Sequence, residues 1–172
     1  VKFNFCRRCG AALKQINGHV YECADGHTIF ANSNPTIGVF FVTPDDQVLL
    51  SVRGIEPRKG MLDSFGGFLD GEENFQTALG RELKEELGLE PIDYEPPQYL
   101  TSETGHYPYQ GETLSVISSF FWSRLKPGVT PIPADDVAGI ESFPIDQVDF
   151  DRLHDDDVRA GIRALQQVFS SD

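Results

Sequence analysis

The sequence predicts an α+β protein, a mixed sheet covered by helices on both faces and preceded by a small appendage that burial alone cannot fold. Three observations carry this expectation. Strand-like runs interleave with two helical patterns along most of the chain, the arrangement that layers helices on a sheet. The composition changes at Asn34-Pro35, from Cys-, Gly-, Asn- and His-rich to β-branched and aromatic. Finally, 172 residues with 40% hydrophobic content can bury one proper core but would be cramped for two catalytic domains. The expected division is therefore 1–34 and 35–172.

The first segment lacks the apolar mass to fold on burial. Its three cysteines, all within the first 23 residues, cannot make a balanced disulfide framework, so metal is the better reading than redox. Cys6 and Cys9 sit in Cys-Arg-Arg-Cys-Gly; Cys23 follows with thirteen residues between, and His27 with three between it and Cys23, a zinc-ribbon-like spacing. Gly10 suits the tight turn that points backbone N–H groups at thiolate sulfur. A structural zinc supplies about 10–16 kcal/mol of binding energy, which such a segment needs. His19 and Asp25 are the alternatives to His27 as fourth ligand. A closed set of four leaves no open position, so this zinc is expected to be structural.

Beyond Pro35, Thr36 to Val42 and Gln47 to Val52 read as two strands joined by the turn Pro44-Asp45-Asp46. A Gly- and Arg-containing loop runs through Gly60, followed by the glycine-bearing segment Ser64 to Phe68. A strong helix lies between Asn74, a plausible N-cap, and Gly88, a plausible stop. The Pro-rich stretch Pro91 to Pro97 and a loop containing Gly105-His106-Tyr107-Pro108-Tyr109 precede a strand over Thr113 to Trp122. Another Pro-rich loop leads to Ile140 to Phe143, and Asp155 to Phe169 forms a second amphipathic helix opened by acidic residues.

Charge narrows the function. With 27 acidic against 14 basic residues, the formal charge is -13, which repels a phosphate backbone over most of the surface and argues against broad nucleic-acid binding. No apolar run approaches the roughly 20 residues of a membrane helix, and no charged-then-apolar signal opens the chain. The expectation is a cytoplasmic protein without a membrane partner.

The chemistry sits on the first helix. Phe75, Leu79, Leu83 and Leu87 recur every four residues and define a stripe to be buried. Glu82, Glu85 and Glu86 lie at i, i+3 and i+4, so three carboxylates share one face beside that stripe. They sit near the helix C-terminus, where the macrodipole disfavours negative charge. A hard cation relieves both costs, and oxygen-only ligands suit Mg²⁺ or Mn²⁺.

From Gly67 the sequence runs five residues to Glu73, then seven to Arg81-Glu82-Leu83-Lys84-Glu85-Glu86-Leu87-Gly88-Leu89. This 23-residue pattern resembles the box of the Nudix hydrolases at every defining position. The resemblance implies an α/β/α sandwich with a mixed sheet, behind a small N-terminal zinc ribbon. It also implies a catalytic apparatus in which Glu82, Glu85 and Glu86, with the Gly67 carbonyl, ligate Mg²⁺ (or Mn²⁺), while Arg81 and Glu73 hold the loop through charge-assisted hydrogen bonds. The implied reaction cleaves the pyrophosphate of a nucleoside diphosphate linked to another moiety, an NADH-like dinucleotide, ADP-ribose or a diadenosine polyphosphate. The products are a nucleoside monophosphate and the phosphorylated remainder. A homodimer is likewise implied by the resemblance.

A zinc ribbon before such a domain resembles the NADH pyrophosphatase branch, as does Gly66-Gly67-Phe68-Leu69-Asp70. Two departures mark this chain. The Ser-Gln-Pro-Trp-Pro-Phe-Pro run of that branch is absent, replaced by Thr101 to Tyr109, so a preference for NADH does not carry over. Relatives place a Glu in the late loop as metal ligand or base, where this chain has Gly139. The base is left among Glu82, Glu86, Asp136, Glu141, Glu103 and Glu112. Arg53, Arg58 and Lys59 are candidates for neutralising substrate phosphates, against a solvated loop as the alternative, and Tyr107 and Tyr109 for stacking on a base or nicotinamide ring, against packing on the domain. The rival to an enzyme is a Nudix-fold sensor that binds a nucleotide without turning it over.

Overall fold

The computed structural model describes residues 3–170; the extreme ends of both expected segments lie outside the described residues. Two compact units emerge, one of Val1–Asn34 with His106–Val116, the other of Pro35–Gly105 with Ile117–Asp172.

In the first unit, β1 (Leu13–Asn17), β2 (Val20–Cys23) and β3 (Thr28–Phe30) form an antiparallel sheet in that order. Its core is small, Cys6, Tyr21, Cys23 and Ile29 with Ala11, Leu13 and Ala31 against them. Two of those buried groups are thiols, which is why apolar burial alone is a thin explanation for its order.

The larger sheet has six strands in the order β6-β5-β4-β8-β7, with β9 on β5, and apart from the stretch His106–Val116 of β7 and β8 and the first residue of β4 it belongs to the second unit. The strands are β4 (Asn34–Val42), β5 (Gln47–Arg53), β6 (Leu62–Asp63), β7 (Gln98–Tyr109), β8 (Glu112–Arg124) and β9 (Val137–Pro144). β5 pairs antiparallel with β4, β6 and β9. Period-2 alternation along β4 sends its side chains to both faces. Ile37, Val39 and Phe41 join one core with Leu79, Leu83 and Leu87 of α1 (Phe75–Leu87), while Phe40 and Val42 join another with Val158, Ile162 and Leu165 of α2 (Asp156–Phe169). A helix on each face is the expected sandwich. Gly161 lets α2 approach closely, since a Cβ there would lie 2.8 Å from the Phe40 ring.

Helix α1 is bounded as its sequence suggests. Asn74 accepts from the Thr77 N–H and Thr77 accepts from the Asn74 N–H, a reciprocal cap, and Gly88 ends the helix at φ 66°. The first member of the predicted stripe, Phe75, is 38% exposed, and Ala78 is buried in its place. One expectation is corrected: the supposed loop at Gly105 to Tyr109 is the end of strand β7. Pro108 is tolerated because β7 lies at the sheet's edge, where a missing N–H need cost no ladder bond. Gln110 and Gly111, both at positive φ, turn the chain into β8.

Candidate active site

The glycine entry shapes the site first. Gly66 adopts φ 135°, and a Cβ there would meet the Ile37 carbonyl at 2.4 Å. A Cβ on Gly67 would lie 2.7 Å from Glu82 Oε1, so only glycine admits the carboxylate so close to the backbone. The Gly67 carbonyl accepts the Ile37 N–H at 2.9 Å and keeps a second lone pair.

Arg81 organises the loop before the helix. Its Nε and Nη2 grip both oxygens of Glu73 at 2.9 Å, and Nη2 also reaches the Phe68 carbonyl at 3.1 Å. Its Nη1 spans Glu82 Oε1 at 2.9 Å and Glu85 Oε2 at 3.1 Å. Glu73 accepts the Asp70 N–H as well, at 2.9 Å. The Arg81 fork, with that N–H, holds the Glu73 carboxyl down at about 2.

The three helix acids share a face but not an environment. Glu85 is half-exposed, Glu82 is largely enclosed, and Glu86 is buried. Burial raises the Glu82 carboxyl, against Arg81. Burial pushes Glu86 up to about 9, with the negative charges of Glu82, Asp63 and Asp136 adding to it and the Gly66 N–H, 2.8 Å from Oε2, opposing. These are hard oxygen donors lacking enough positive charge, an environment suited to a divalent cation such as magnesium or manganese.

The remaining sequence candidates fall in different places. Arg53 donates to Pro57 O at 2.9 Å and to Asp63 Oδ2 at 2.8 Å, and Arg58 to the His154 carbonyl and, at 3.4 Å, Asp155. Lys59 is exposed. Tyr107 and Tyr109 belong to the first unit, with Tyr109 half-exposed. Two acids near Glu86 carried no local signal: Asp63 sits on β6, a strand of two residues, and Asp136 was one acid among several. An apolar groove of about 350 Å³, lined by Phe75, Leu79, Tyr94, Pro96 and Phe121, includes none of the box carboxylates.

In the first unit, the thiol sulfurs of Cys6, Cys9 and Cys23 and a ring nitrogen of His27 all lie within 4.8 Å of one another. Cys9 and Cys23 sulfurs are 3.7 Å apart, as are Cys6 Sγ and His27 Nδ1. The Arg8 N–H, directed at sulfur, brings the Cys6 thiol down to about 6 against the effect of burial. Three soft thiols and an imidazole in this compass fit tetrahedral zinc. His19 lies outside the cluster, its ring 6.1 Å from that of Phe30.

Comparison with known proteins follows the same lines. The chain is 30% identical over 129 residues to the mitochondrial NAD(P)H pyrophosphatase NUDT13 of Homo sapiens, covering 74% of this chain and 34% of that protein. It is 28% identical over 107 residues to the NAD-capped RNA hydrolase NudC of Stutzerimonas stutzeri, covering 61% and 37%. It thus spans about a third of the length of these relatives. The crystal structure of a NUDIX hydrolase from Nitrosomonas europaea superposes with a TM-score of 0.70 at 18% identity, over 98% of this chain and 91% of the other, and so shares the fold. The NUDIX domain model matches residues 32–164, which include the glycine entry, the Arg81–Glu73 clamp and the acidic helix, and the chain therefore belongs to the NUDIX domain family.

Proposed function

We propose that the chain hydrolyses the pyrophosphate of a nucleoside diphosphate linked to a second moiety, a dinucleotide such as NADH, ADP-ribose or a diadenosine polyphosphate, giving a nucleoside monophosphate and the phosphorylated remainder. The observation that carries this reading is the acidic helix face: Glu86 is buried beside Glu82 with its carboxyl raised to about 9, a cost that a bound cation would remove. Glu82, Glu85 and Glu86, with the free lone pair of the Gly67 carbonyl, would hold magnesium or manganese. Bound there, the cation would neutralise phosphate oxygens and stabilise the charge that spreads over phosphorus during in-line attack.

The chain's own residues do the positioning. Arg81, anchored to Glu73 and the Phe68 carbonyl, fixes the loop against the helix and steadies Glu82 and Glu85. Gly67 leaves the space in which Glu82 reaches the backbone. The cysteine-histidine cluster, remote from this chemistry in ligand type, would hold a closed structural zinc. The names of NUDT13 and NudC support cleavage of nicotinamide-containing pyrophosphates as the first substrates to assay.

The test is a Mg²⁺-dependent hydrolysis panel of NADH, NAD⁺, ADP-ribose, diadenosine polyphosphates, nucleotide sugars and nucleoside triphosphates, with product identification. Release of a nucleoside monophosphate from one of the diphosphate conjugates is the expected result. Silence across the panel in both Mg²⁺ and Mn²⁺ would refute hydrolysis and favour a nucleotide-binding sensor.

A further inference from the structure

The ligand residues of the cysteine-histidine cluster are not equivalent. Cys9 and Cys23 bring their sulfurs to 3.7 Å, so closing to a disulfide bond of about 2.05 Å shortens the separation by roughly 1.7 Å. Cys23 ends β2 and is buried, with its N–H bonded to the His27 carbonyl at 3.2 Å. Cys9 lies in the turn before Gly10 and is exposed, and a Cβ at Gly10 would meet nothing within 4 Å. The turn therefore has room to shift toward the fixed strand, and Cys9 is the thiol that an agent in solution meets first.

Cys6 is placed differently. It is buried, its sulfur lies 3.7 Å from His27 Nδ1, and its backbone is bonded on both sides, its N–H to the Ala11 carbonyl and its carbonyl to the Gly10 N–H, each at 2.8 Å. The odd number of thiols thus divides into a pair in sulfur contact and a third paired with the imidazole.

We propose that Cys9 and Cys23 form a peroxide-sensitive modification site, oxidised to a disulfide that expels the zinc. Expulsion rests on the structural-zinc reading above; the disulfide rests on the sulfur contact and the exposure of Cys9. The Cys9 thiolate attacks one oxygen of hydrogen peroxide, the O–O bond breaks and hydroxide leaves, giving a sulfenic acid. The Cys23 thiolate attacks that sulfur and displaces a second hydroxide, forming the S–S bond. The two sulfurs together lose two electrons, and the peroxide takes them up as two hydroxide ions. Two of the four zinc donors are then gone, and Cys6 and His27 are too few for a tetrahedral structural site. The new bond joins residues fourteen apart in sequence, a constraint that replaces part of the order lost with the metal.

The experiment treats the whole chain, loaded with zinc, with a few-fold molar excess of hydrogen peroxide, follows zinc release with a chromogenic chelator, and then maps the linkage. Trypsin cuts after Arg7, Arg8 and Lys14, so Cys6, Cys9 and Cys23 fall in separate peptides and mass spectrometry without reduction reads the joined pair directly. The expected result is loss of the bound zinc, a metal-free mass lower by about 2 Da, and the Cys9 peptide joined to the Cys23 peptide, with Cys6 still open to alkylation. Dithiothreitol reverses the change and zinc rebinds. Cys23→Ser removes the resolving thiol, so Cys9 accumulates as a sulfenic acid that dimedone traps; the wild-type linkage map decides the matter even where that variant does not fold. Zinc retained with all three thiols intact overturns the inference, and so does a link between Cys6 and Cys9 or oxidation of Cys9 straight to the sulfinic acid. A chain that binds no zinc before treatment overturns the zinc reading instead, and the linkage map still decides the disulfide.

Discussion

At the scale of single residues, the site separates carboxylates by surroundings. Glu73 is pinned low by the Arg81 fork, while Glu86, thirteen residues on, is driven high by burial and by like charges from three elements. Glu86→Gln removes a carboxylate that would ligate the cation without changing shape, so kcat should fall by orders of magnitude with the fold intact, as steady-state kinetics beside circular dichroism would show. Unchanged turnover would remove Glu86 from the proposed apparatus. A second prediction concerns His154, whose Nδ1 is buried with no hydrogen-bond partner among the described residues, 3.7 Å from Asp63 Oδ2. Burial lowers its pKa below the usual 6.5, with Asp63 opposing and Arg53 adding to the effect. The unfolded chain then binds more protons than the folded one between the two values, so this stability is present above about pH 6.5 and is lost as pH falls through the folded pKa. Denaturation midpoints measured from pH 8 down to pH 5 should decline, and His154→Phe should flatten that decline; an equal slope in both proteins would contradict it.

At the scale of elements, the central strand β4 is buried on both faces and leaves little slack. Gly161→Ala gains about 1 kcal/mol of helix propensity. Against that, the new methyl meets the Phe40 ring at 2.8 Å, and Phe40 is fully buried and stacked on Phe120, so overpacking costs about 1–3 kcal/mol and wins. A lower urea midpoint is expected, and a higher one would show that α2 can shift freely. Helix α1 illustrates how far sequence reaches: its caps, its apolar stripe and the common face of Glu82, Glu85 and Glu86 all follow from a local period of 3.6 residues. Strand β7 illustrates the limit. Gly105-His106-Tyr107-Pro108-Tyr109 carries turn residues, yet pairing with β8 holds it extended, and only the pair Gln110-Gly111 hinted at the hairpin.

At the scale of the whole molecule, the two units rest on different sources of order. One has two apolar cores against a sheet; the other has a small core built around its thiols. If zinc supplies the missing stability, Cys9→Ser should lower the bound zinc measured by elemental analysis and raise amide exchange across Leu13 to Phe30. Full zinc content in that variant would exclude Cys9 as a ligand. No helix among the described residues is long and apolar enough to cross a membrane.

The sequence by itself determined the family, through residues at fixed spacing within 23 positions, and with it the sandwich fold, because helix period, caps and glycine turns are local properties. It also brought four soft ligands to ribbon spacing. Tertiary structure alone decided which acids meet. Asp63, Glu86 and Asp136 lie on β6, α1 and the late loop, far apart in the chain, and no periodicity links them. It likewise decided that Glu141 is claimed by Arg152. Charge interactions depend on distance in space and on burial, and neither quantity is written in the spacing of residues along a chain.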